Sequence, residues 1–147
     1  MNKKFMLLIA VLAILVVVPA CGKKVMKTEA VSGKVTLDGA PLAQCYVYFV
    51  PDGEGDSGVA ITNDAGEYKL QTLKGAADAG TSPGNYKVYF THDVVVSPAE
   101  TNADGETVKD EVTKNDLPSK YLKPETSGFT AQVVKGKNTF DFDLSSK

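Results

Sequence analysis

The chain has 147 residues, 43% of them hydrophobic, with 16 basic against 18 acidic residues and a net charge of −2; that length holds one domain and a short leader. Every basic residue is a lysine, so the planar bidentate fork that reads phosphates and base edges is missing, which argues against nucleic acid as a partner. One histidine, two cysteines and no tryptophan leave catalytic and metal chemistry few residues to draw on.

Residues 1–20 have the parts of an export signal. Lys3 and Lys4 are a positive start, and Phe5 to Val18 is an unbroken apolar run, short for a membrane span and suited to a cleaved leader. Val18-Pro19-Ala20-Cys21 resembles the lipobox of bacterial lipoproteins, with Pro19 departing from the commonest residues there. That resemblance implies cleavage before Cys21, with diacylglycerol on its thiol and a fatty acyl chain such as palmitate on its new amino group. Several chains together hold a protein on a membrane stably. Gly22 follows Cys21; the aspartate that retains such lipoproteins at the inner membrane is absent, which points to the outer membrane, facing periplasm or cell surface. Loss of the leader removes two lysines and no acid, taking the net charge from −2 to −4. Residues 21–30 then read as a polar tether.

Val31 to Pro51 reads as two strands joined by a turn. Val31, Gly33, Val35 and Leu37 alternate with polar residues, Asp38-Gly39 supplies the turn, and Tyr46 to Val50 is rich in β-branched and aromatic residues. Cys45, Val47 and Phe49 share the core face, leaving Tyr46 and Tyr48 as a possible contact strip on the other. With Cys21 lipidated, Cys45 has no partner for a disulfide and reads as a small core hydrophobe.

Asp52, Glu54 and Asp56 recur in a glycine-rich loop; they are the one calcium candidate, without the spacing of an EF-hand, and a solvated loop is the plainer reading. Strands follow over Val59–Thr62, Glu67–Thr72 and Gly84–Thr91, the last with Tyr86, Val88 and Phe90 on one face. Residues 92–128 form a long connection whose charge suits a flexible excursion, with a hairpin around Asp104-Gly105. Leu117, Tyr121 and Leu122 bring the chain back to dock. Phe129–Val134 and Thr139–Leu144 complete seven strands, and the fold class expected is all-β, a small antiparallel sandwich.

Ser32 to Ala43, Val47 to Pro51, Thr62 to Tyr68 and Pro83 to Val88 together resemble the carboxypeptidase regulatory-like domain. Its β-sandwich is transthyretin-like, also called prealbumin-type. The likeness covers roughly residues 31–144, and the ending from Leu117 to Leu144 resembles small bacterial lipoproteins built on that domain. It implies one domain over 31–147 and leaves function open, since such sandwiches carry many roles. Two relatives can be weighed. Transthyretin-like hydroxyisourate hydrolases use several histidines, an arginine and a C-terminal Tyr-Arg-Gly-Ser; this chain has His92 alone, no arginine, and ends Leu144-Ser-Ser-Lys147. Collagen-adhesin B-type domains can carry a Lys–Asn isopeptide bond, for which Lys34 with Asn138 or Asp141 are nominal partners, but Lys34 is out of phase with the core residues of its strand.

The function expected is a non-enzymatic, membrane-anchored module of the cell envelope with a binding or structural role. The alternatives are an accessory subunit of a transport or secretion assembly acting through 92–116, and a carbohydrate-binding module, against which the lack of tryptophan counts. No cofactor beyond the lipid on Cys21 is expected, and the partner would be an envelope protein or polysaccharide.

Overall fold

The structure, a computed structural model, describes residues 27–72 and 79–147. The lipidation candidate Cys21, the leader and most of the tether lie outside the described residues.

Strand β1 (Val31–Leu37) buries Val31 and Val35 and leaves Lys34 exposed, as its alternation predicts. Asp38 and Gly39 both take positive φ, 51° and 83°, which a two-residue hairpin turn of the primed type requires. The chain folds back as the short β2 (Ala40–Pro41) against β1. It then crosses through Leu42–Cys45 into β3 (Tyr46–Pro51). Strands β1 and β3 therefore lie in opposite sheets, whereas the sequence reads them as a joined pair. The reason is burial: each has one apolar face, and setting the two faces against each other covers both.

Strand β4 (Gly58–Ile61) pairs with β3. The expected strand 67–72 is split, because its two halves serve different sheets. Its first half, β5 (Glu67–Lys69), pairs with β1, while β6 (Gln71–Thr72) pairs with β4. Strand β7 (Gly84–Thr91) pairs with β3 from Tyr46↔Thr91 to Pro51↔Tyr86. A hairpin in two parts follows, β8 (Asp93–Ser97) with β11 (Val112–Asn115) and β9 (Glu100–Thr101) with β10 (Thr107–Lys109). The flexible excursion expected there is thus a laddered hairpin, closed at its tip by a turn that Asn102 holds through its side chain. After one 3₁₀ turn at Ser119–Leu122, β12 (Phe129–Val133) joins the other edge of β7. The chain ends in β13 (Asn138–Thr139) and β14 (Phe142–Leu144) beside β1.

The protein is all-β, two facing sheets with no α-helix among the described residues. One sheet runs β12-β7-β3-β4-β6, all antiparallel; the other centres on β1. Its C-terminal strands run parallel to β1, a detail the period-2 pattern does not specify. Between the sheets Phe49 is fully buried, and its ring centroid lies 5.9–6.4 Å from those of Tyr68, Tyr86, Phe140 and Phe142. Leu117 and Tyr121 close one side, with the Tyr121 hydroxyl accepting from the Ser145 N–H at 3.0 Å.

One close approach needs glycine. A Cβ on Gly33 would sit 1.7 Å from the carbonyl oxygen of Phe140. Tyr68, opposite Gly33 on β5, donates its hydroxyl to that same oxygen at 2.8 Å. β13 and β14 keep one register against β1, and between them Asp141 Oδ1 accepts from the Lys34 backbone N–H at 2.8 Å.

The fold has two distinct poles. The first described residues enter where Glu29 bridges to Thr81 and accepts from Gly136 N–H. The hairpin leaves from the far end of β7, where β1 also finishes.

Candidate functional site

Three tyrosines form a row on the outer face of the antiparallel sheet. Tyr46 and Tyr48 stand two apart on β3, so period 2 puts both outward; Tyr89 is opposite Tyr48 on β7 and shares that face. The Tyr48 and Tyr89 rings stack with centroids 4.6 Å apart and planes 9° from parallel. Tyr46 and Tyr48 are 6.2 Å apart at 18°. Tyr46 is the most open, at 40% exposure, and its partner across the ladder, Ile61, is 46% exposed. Burial, together with the neighbouring Tyr48, holds the Tyr89 phenol above its ordinary pKa. Tyr89 was missed as a site residue in the sequence. Alternation places it opposite Tyr86, Val88 and Phe90, but nothing in a single strand reveals which outward residue stands beside Tyr48.

The row ends at Ile61, which is also the rim of a groove of about 600 Å³. The groove wraps the open side of the sandwich, where the chain switches sheets at Leu70. Its walls come from Ser32 and Lys34 on β1, Glu67, Lys69 and Gln71 beside them, and Thr139 and Asp141 near the C-terminus. Two lysines face two carboxylates, so the groove carries no net charge.

The remaining sequence candidates are placed as follows. Cys45 is fully buried in the core. Asp116 lies close enough to act on its thiol, and Asp116 Oδ1 is 2.7 Å from Nδ1 of His92. The fold thus gathers a thiol, a carboxylate and an imidazole that are distant in sequence. The electrostatics run against a nucleophile, since burial first and the Asp116 charge second push the thiol up to about 12. The His92 side chain is only 15% exposed because it packs on Asp116 at the base of the hairpin. A second backbone link, from Asp116 N–H to the His92 carbonyl, reinforces that base.

Asp52, Glu54 and Asp56 are exposed and do not converge; among the described residues no group of three metal-ligating side chains forms. Asp52 instead faces Lys87 at 3.8 Å, and the Asp56 carbonyl accepts from Thr81 Oγ1. For the isopeptide candidates, Lys34 is exposed while Asn138 is buried with its amide committed to its own turn. Asn138 Nδ2 donates to the carbonyls of Val134, Gly136 and Ala30, and its Oδ1 accepts from Val134 N–H.

No family model and no curated protein matches the chain. Among solved structures it is similar to a 9R-lipoxygenase from Cyanothece PCC8801, at 12% identity and a TM-score of 0.38. That match covers 81% of this chain and 16% of the lipoxygenase. A likeness so distant carries no inference about activity.

Proposed function

We propose that the protein is a lipid-anchored binding module of the bacterial envelope, built on a carboxypeptidase regulatory-like sandwich and without catalytic activity of its own. The observation that carries it is the stacked row of Tyr46, Tyr48 and Tyr89, an aromatic surface laid on a sheet face, open at Tyr46 and half-buried at Tyr48 and Tyr89. Aromatic side chains with a polar tip suit a recognition face, because they offer large contact area at low entropic cost. The lipid on Cys21 confines this face to the membrane neighbourhood and raises its effective concentration there. The buried, protonated Cys45 thiol supports the non-catalytic reading.

A second reading, the accessory subunit of an envelope assembly, is favoured by the hairpin. It stands at the pole opposite Glu29 and exposes Val95, Val96, Val108 and Val112. It carries six acidic residues against two lysines over 93–115.

Anchoring is tested by the intact mass and membrane fractionation of the protein and of Cys21→Ser. The native chain should carry the lipid mass and sediment with membranes, and the variant should lose both. An unchanged mass and location would remove the anchor from Cys21.

A further inference from the structure

Resting on the binding-module reading, we infer that the ligand is an uncharged glycan chain, laid from the open end of the tyrosine row at Tyr46, over Ile61, into the groove beside β5. Four features point to this chemistry. The groove is lined by hydrogen-bonding side chains, and those of Ser32, Gln71 and Thr139 make no hydrogen bond to another described residue. Hydroxyl-rich ligands require donors and acceptors in this mixed, convergent form.

Its charges cancel, Lys34 and Lys69 against Glu67 and Asp141. A phosphate or polyanion would meet no excess of positive charge, and a cationic peptide no excess of negative. The groove opens to solvent and meets the aromatic row at Ile61, which lines it and pairs with Tyr46 across the ladder. A linear polymer fits an open track, whereas a small cofactor needs an enclosed pocket. The missing tryptophan is answered by the row itself, since Tyr48 and Tyr89 are locked face to face and hold Tyr46 at its exposed end.

The test is calorimetric titration of the mature full-length chain, in a detergent without a sugar headgroup, with cellohexaose, maltohexaose and the fully N-acetylated chitin hexamer, at low and at high salt. At least one should bind, with little salt dependence. Tyr46→Ala and Gln71→Ala, both at exposed positions that should leave the fold intact, should each weaken it about tenfold. Lys109→Ala on the hairpin should leave it unchanged. Absence of binding by all three at millimolar concentration overturns the inference, as does binding that neither substitution weakens. These outcomes are separable from failure of the underlying reading: a module that holds envelope protein and ignores all three glycans keeps the reading and loses the glycan.

Discussion

Asn63 and Asn102 hold the same turn in two different places. Each begins a segment of the form Asn-x-x-Gly-Glu. Each Oδ1 accepts from the backbone N–H groups two and four residues on, at 3.0 and 2.9 Å in both turns. Each glycine takes positive φ, 74° at Gly66 and 81° at Gly105. The settings differ: Gly66 is packed so that an added Cβ would lie 2.5 Å from the Val35 carbonyl oxygen, while nothing lies within 4 Å at Gly105.

The same substitution should therefore have unequal effects. Asn63→Ala is expected to lower global stability by about 1 kcal/mol, the net worth of hydrogen bonds lost without replacement. Asn102→Ala should leave the global urea midpoint within error and speed amide exchange over 101–107 only. Equal shifts in the midpoint would mean that the hairpin unfolds together with the sandwich.

Gly33 and Tyr68 make a second pair of expectations. Gly33→Ala drives a methyl group into the Phe140 carbonyl and should cost about 3 kcal/mol, the upper end for overpacking. Tyr68→Phe keeps the ring and removes the hydroxyl that reaches that oxygen, so it should cost ~1–2 kcal/mol. Denaturant unfolding of both variants checks the order; a tolerated Gly33→Ala would contradict the close approach of β1 to the C-terminal strand.

Alkaline pH should expose the buried thiol. In the unfolded chain Cys45 ionises near 9, and in the folded protein its pKa is raised to about 12. The folded state then holds a proton that the unfolded state releases. Its contribution to stability is whole below pH 9 and is lost as pH rises toward 12, at up to ~1.4 kcal/mol per pH unit. Tyr68, Tyr86 and Tyr89 are also raised above 10.0 by burial and should steepen the loss beyond that point. Cys45→Ala should flatten the profile between pH 9 and 10 and leave the steeper part. An unchanged slope there would place the thiol in contact with solvent.

Much of the fold was legible because period 2 is a strong signal when one face is buried. Cys45, Val47 and Phe49, then Tyr86, Val88 and Phe90, all point inward as alternation requires. What alternation cannot carry is which strand lies beside which. The separation of β1 from β3, the parallel placement of β14 and the stacking of Tyr89 on Tyr48 are all consequences of pairing between distant segments. The candidate site was half visible for the same reason: Tyr46 and Tyr48 come from one strand, whereas Tyr89 and the groove walls come from others. At Asp52, Glu54 and Asp56 a repeated acidic pattern lies in an exposed loop, and among the described residues no group of three metal-ligating side chains forms.

The measurement that bears most directly on the proposed function is photo-cross-linking in intact cells, with the reactive group at position 46 of the tyrosine row or at position 108 of the hairpin. Val108 is 62% exposed, so both positions are open to a partner. Recognition by the outer sheet face predicts recurrent adducts from position 46 that require Cys21, with few from position 108. Adducts from position 108 alone would contradict that account and make the hairpin the contact, and none from either position would leave the sheet face without a ligand.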